Sequence, residues 1–105
     1  FLYISDFVEA INCLINAPIE KIRGKIYNVS SGNSIYLYEV INLIVKITGG
    51  GRPQFGKKVA RQNEALILKS NSENFRNDFD WEPKISLKEG ILELVKFTSD
   101  NYIKK

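Results

Sequence analysis

The sequence predicts a mixed α/β fold of about four helices with three or four short strands. Apolar residues recur at helical spacing in separate stretches, short runs rich in β-branched and aromatic residues lie between them, and turn formers mark the junctions. Of the 105 residues, 44% are hydrophobic and 26% charged, the balance of a globular chain rather than a disordered one. At this length the chain is one domain or a piece of one.

Phe1-Leu2-Tyr3-Ile4 is an apolar, strand-like opening. From Ser5 the spacing becomes helical: Phe7, Ala10, Ile11, Leu14 and Ile15 fall on one stripe, Asp6 and Glu9 suit the positive end of the helix dipole, and Pro18 ends the run. A mixed-charge connector, Glu20 to Gly24, leads to Lys25-Ile26-Tyr27-Asn28-Val29, a second strand candidate closed by the turn formers Ser30 to Ser34. The spacing predicts the next helix from about Leu37 to Thr48, with Leu37, Val40, Ile41, Ile44 and Ile47 inward and Gly49 as its stop.

A basic, extended segment from Arg52 to Arg61 follows, then Ala65-Leu66-Ile67-Leu68, too short for a helix and read as a strand. Ser70 or Asn71 can cap a short helix through Phe79, on which Phe75 and Phe79 face one way and which Trp81-Glu82-Pro83 closes. Ser86-Leu87-Lys88-Glu89 is a capping box, and its helix turns Leu87, Ile91, Leu94, Val95 and Thr98 inward before fraying at Tyr102 to Lys105.

With 15 Lys and Arg against 12 Asp and Glu, the net charge is +3, too small an excess to indicate a nucleic-acid partner. There is no His and a single Cys, Cys13, so no zinc set, internal disulfide or His-based catalysis is expected. Apolar stretches stop well short of the roughly 20 residues that span a bilayer, and no charged-then-apolar leader opens the chain. A cytoplasmic protein without membrane contact is expected.

Two patterns bear on chemistry. Arg52, Lys57, Lys58 and Arg61 put four positive charges on a segment punctuated by Gly50, Gly51, Pro53 and Gly56. Such a run reads first as a solvated surface loop, but an Arg within it suits a diphosphate, because a planar guanidinium offers parallel donors to two oxygens. Against a cofactor, Gly49-Gly50-Gly51 follows a helix, and Ser31-Gly32-Asn33 has one glycine where a dinucleotide fingerprint needs three. None of Tyr3, Tyr27, Tyr36, Tyr38 and Tyr102 has Lys four positions later, so the tyrosine and lysine pair that deprotonates a hydroxyl is missing. Phe75, Phe79, Trp81 and Cys13 read as packing residues.

Taken in order, the segments resemble the C-terminal portion of extended short-chain dehydrogenase/reductases, the NAD-dependent epimerases and dehydratases of nucleotide sugars. Phe1 to Ala10 resembles the Arg-Asp-Phe-Ile-Tyr-Val-Asp-Asp signature without its first two residues, and Ile26 to Gly32 resembles Tyr-Asn-Val-Gly-Ser-Gly. Leu37 to Ile41 resembles the helix after that turn. Arg61-Gln62-Asn63-Glu64 resembles an Arg-x-Gly-Asp/Glu element, Leu68 to Asn71 falls where an Ala-Asp pair opens a helix, and Asp80-Trp81-Glu82-Pro83 resembles Gly-Trp-x-Pro. The departures are Ser5 for Asp, Tyr36 for a capping Ser, Asn63 for Gly and Ile67 for Asp.

The resemblance implies that residues 1–105 form a single C-terminal nucleotide-sugar-binding domain whose N-terminal Rossmann part is absent. It implies that Arg61 contacts the diphosphate of a UDP-, dTDP-, GDP- or CDP-sugar and that Glu64 reaches a ribose hydroxyl. It implies no cofactor in this chain, NAD(P) and the catalytic pair belonging to the missing part, so that the chain alone is inactive. Unpaired strand edges and the apolar opening then favour self-association. The alternative is a standalone binding or scaffold module of the same fold without chemistry.

Overall fold

The computed structural model describes residues 1–63 and 69–102. Their elements are α1 (Ile4–Ile15), α2 (Ile19–Ile22), α3 (Leu37–Thr48), α4 (Glu73–Phe79) and α5 (Leu87–Tyr102). The expected α/β class is corrected: no strand occurs among the described residues, and the secondary structure there is helical. Phe1 to Ile4 is not a strand, because Tyr3 is already the N-cap of α1 and its carbonyl accepts from the amides of Asp6 and Phe7. Among the described residues Lys25 to Val29 pairs with no second backbone in a ladder, and the Lys25 N–H donates instead to the Ile22 carbonyl in a turn, at 3.1 Å. It keeps a strand's alternation, with Tyr27 and Val29 turned to the core and Ile26 92% exposed. The expected strand at 65–68 lies outside the described residues.

The chain divides into two compact units, Phe1–Asn33 with Lys69–Leu87, and Ser34–Leu68 with Lys88–Lys105. The first holds α1, α2 and α4 around Ala10, Phe75 and Trp81, with Leu2, Cys13, Leu14, Tyr27, Val29 and Phe79 packed against them. Phe75 is fully buried at the centre of an aromatic cluster: Tyr27 and Trp81 meet it edge-on at centroid distances of 5.5 and 5.4 Å, and Phe79 lies 4.8 Å away. These side chains pack, as their spacing suggested.

The orientation of α1 is set by a polar contact. Asp6 is 2% exposed; its carboxylate accepts from the backbone N–H groups of Lys84 and Ile85, both at 3.0 Å, and its carbonyl accepts from the Trp81 indole at 3.2 Å. Asp6 therefore pins the helix to the turn around Pro83 and faces inward together with Ala10, Cys13 and Leu14. The expected inner stripe is corrected accordingly, since Phe7, Ile11 and Ile15 are exposed.

In the second unit, α3 has the predicted limits and ends at Gly49, whose φ of 72° is the left-handed stop that a side chain would strain. At its start the Glu39 carboxylate accepts from the Tyr36 N–H at 3.0 Å, half of a capping box, because a phenol stands too far from its own backbone to return the bond. Val40 and Ile91 are buried, whereas Leu37, Ile44 and Leu94, expected inward, are exposed. No described helix is long and apolar enough to cross a membrane.

Removing the Asp6 carboxylate orphans two backbone donors at the turn. Asp6→Ala is expected to cost about 3 kcal/mol, read as a lower urea midpoint by Trp81 fluorescence. Glu9→Ala, which loses only the exposed ion pair to Lys84, is expected to cost under about 1 kcal/mol.

Candidate functional site

Arg61 lies in the second unit, exposed, immediately before a turn at Gln62 and Asn63. The loop leading to it leaves α3 through Gly49, Gly51 and Gly56, all at positive φ, and carries Arg52, Lys57 and Lys58, also exposed. Positions 50–61 contain no carboxylate, so the loop carries positive charge alone and its local potential favours anions. Phe55 and Val59 are exposed among these charges. Glu64, the other expected site residue, lies outside the described residues.

The first unit forms a separate polar groove, lined by Gly32, Lys69, Ser70, Asn71, Arg76 and Glu82 among others. Its floor is tied together by Arg76, whose guanidinium donates to the Ser31 carbonyl at 2.7 Å and to the Ser72 hydroxyl at 3.0 Å. Ser72 in turn donates to the Ser30 carbonyl, and Ser30 to the Ser70 carbonyl. Gly32, with φ 78°, sits against this guanidinium so closely that a Cβ would come within 2.9 Å of it. Arg76 received no role in the sequence reading; the signal was its place one turn after the cap of α4, facing a serine-rich turn with free carbonyls. The Asn71 side chain accepts from the Glu73 N–H at 2.9 Å, as its candidacy for a cap implied.

Neither glycine run fits a dinucleotide. Gly49 closes a helix, where a pyrophosphate loop opens one, and Gly32 is occupied by Arg76. On the other face of α4, the Tyr27 hydroxyl donates to Asp78 at 2.6 Å, with the Lys25 ammonium 3.5 Å from the same oxygen and the Lys21 ammonium 4.7 Å from the Phe79 ring. The Asp78 carboxyl is held below its ordinary range, first by the bond from Tyr27 and further by the Lys25 and Lys21 charges. The same bond pushes the Tyr27 phenol up, and the Asp78 charge raises Lys25. These groups clamp the Lys25 to Val29 segment to α4.

No family model matches the chain. It is 27% identical over 85 residues to CDP-paratose 2-epimerase from Salmonella typhi, a match covering 79% of this chain and 25% of that protein. Its fold is similar to part of a dTDP-glucose 4,6-dehydratase from Bacillus anthracis, solved in complex with NAD: the TM-score is 0.71 at 24% identity, covering 95% of this chain and 30% of that one. The chain thus spans about a quarter of the curated relative's length. The resemblance read from the sequence, to the C-terminal portion of an NAD-dependent epimerase/dehydratase, is borne out in sequence and in fold.

The backbone supports the motif register. Among the described residues two non-glycines have positive φ, Asn63 at 66° and Asp80 at 50°. These are the two positions where the Arg-x-Gly-Asp/Glu and Gly-Trp-x-Pro elements carry glycine. Asn and Asp are the side chains that tolerate the left-handed region best after glycine, so both turns are of a kind that a glycine also takes.

The Tyr27–Asp78 bond makes stability pH-dependent. A carboxyl whose pKa is lowered by folding contributes stability that is present above the ordinary carboxylate range, near about 4, and lost as pH falls through the lowered value. Urea midpoints are expected to drop across that interval, and Tyr27→Phe to flatten the drop by removing the largest cause of the shift.

Proposed function

We propose that this chain is the nucleotide-sugar-binding part of an NAD-dependent epimerase, dehydratase or reductase, cytoplasmic, with residues 1–105 working as one C-terminal domain beside a Rossmann part that holds the cofactor. The observation that carries this reading is the 27% identity to CDP-paratose 2-epimerase, supported by the likeness in fold to an NAD-bound dehydratase. In this reading Arg61 contacts the diphosphate and Glu64 a ribose hydroxyl. The left-handed turn at Asn63 supports the assignment, because it sets the direction in which the chain leaves Arg61. The chain holds no NAD(P) of its own and turns over no substrate alone.

Calorimetric titration of UDP, dTDP, CDP and GDP against the wild type and Arg61→Ala tests the site. At least one diphosphate is expected to bind, and Arg61→Ala to weaken it roughly 10-fold or more, the loss of a charge-assisted bond worth about 1.5–3 kcal/mol. Equal binding by the variant, or no binding to any of the four, removes the assignment.

Self-association belongs to the same reading. Phe1, Ile4 and Ile26 are exposed apolar side chains that a second chain can cover. Sedimentation velocity is expected to show a dimer or a larger species; a monodisperse monomer at about 100 μM would count against it.

A further inference from the structure

The exposed side of α1 has an order of its own. Ile4, Val8, Ile11 and Ile15 recur at intervals of four, three and four residues and so form one stripe along the helix. Ile4, Val8 and Ile15 are 63%, 58% and 74% exposed and Ile11 40%, with Phe7 exposed beside them. The opposite side is already committed, since Asp6, Ala10, Cys13 and Leu14 face the core of the first unit. At roughly 200 Å² for a large apolar residue, the five exposed side chains present about 550 Å² to solvent. Phe1 and Ile19, exposed three residues before the stripe and four after it, raise this to about 800 Å², the area that each chain contributes to a standard interface.

Charge and spacing narrow what covers this face. Ile4–Ile15 carries two charged side chains, Asp6 and Glu9; Asp6 is buried on backbone amides, and Glu9 meets Lys84 at 3.2 Å. With no Lys or Arg, α1 lacks the cations by which an amphipathic helix holds an anionic lipid surface. An identical surface, by contrast, meets this uncharged stripe without opposing like charges. The four-three-four spacing also reads the same in both directions. With two such helices antiparallel, Ile4 of each copy lies across from Ile15 of the other and Val8 across from Ile11, so that a β-branched side chain faces a β-branched one at every position. We propose that a second copy of this chain covers the stripe, the two α1 helices lying antiparallel about a two-fold axis. This rests on the self-association reading and names its surface.

Sedimentation velocity on the whole chain tests the pairing. The wild type is expected to be a concentration-dependent dimer, and Val8→Glu and Ile11→Lys to be monomers, each raising the dissociation constant roughly 100-fold or more by setting a charge in an apolar interface. An equimolar mixture of the two variants is expected to pair at least roughly 10-fold more tightly than either alone, because the antiparallel arrangement sets the new carboxylate against the new ammonium. Leu94→Glu, at an exposed position of α5 in the other unit, is expected to dimerise like the wild type. Should an α1 variant lose its helical circular dichroism, Ile15→Lys, at the most exposed position of the stripe, carries the expectation of a monomer. Dimeric α1 variants, a monomeric Leu94→Glu or a mixture that stays monomeric overturns the proposal. If the dimer survives in the α1 variants and is lost in Ile26→Glu, self-association stands on another surface; a wild type that is monomeric at every concentration removes both.

Discussion

The first unit depends on one buried carboxylate. Asp6 sits in the first turn of α1 and accepts two amide hydrogens from a segment almost eighty residues further along, at Lys84 and Ile85. A charge this buried is tolerated only where its oxygens are saturated by donors, and here the donors are backbone groups that a turn at Pro83 leaves without partners of their own. The pairing satisfies both sides at once. It also decides which face of α1 is inward, since the indole of Trp81 reaches the Asp6 carbonyl and is buried by that reach.

Once α1 and the Trp81 turn are joined, Phe75 has its lid. The aromatic cluster then accounts for why Lys25 to Val29 stays in place without a ladder: Tyr27 is gripped at its ring by Phe75 and Phe79 and at its hydroxyl by Asp78. Arg76 performs the same service for the next stretch through the Ser31 carbonyl. Extended backbone is thus held by side-chain contacts on one helix, α4, whose two faces address consecutive parts of one segment.

Helix limits were legible because they rest on local chemistry. Gly49 stops α3 and Ser86 directly precedes α5, each decided within a few residues, whereas the cap of α4 is Ser72 rather than the expected Ser70 or Asn71, with the Asn71 side chain accepting from the Glu73 N–H one position earlier. Helix faces were less legible. The stripe of Phe7, Ile11 and Ile15 is the most apolar on α1, yet the face that is buried contains Asp6, whose partners lie almost eighty residues along the chain and leave no local signal. Strands failed for a related reason: Lys25 to Val29 has the composition and alternation of one, but a strand is a relation between two backbones, and no property of a single segment supplies the second. The role proposed for Arg61 rests on its motif alone, since charge does not separate a ligand clamp from a wet loop.

The departures from the motifs divide into two kinds, and the division bears on what has diverged. Asn63 and Asp80 change the residue and keep the left-handed backbone, so the turns flanking the basic loop and α4 stay as a glycine would leave them. Tyr36 also has the extended backbone of an ordinary N-cap, but it gives up the side-chain cap that a serine supplies, keeps the helix start through Glu39, and places a large ring in solvent beside a second one. Giving up a cap costs about 1 kcal/mol, and exposing two stacked tyrosines adds nothing to the core. The start of α3 therefore rests on a carboxylate where a hydroxyl would serve, and the residue released from capping stands in solvent.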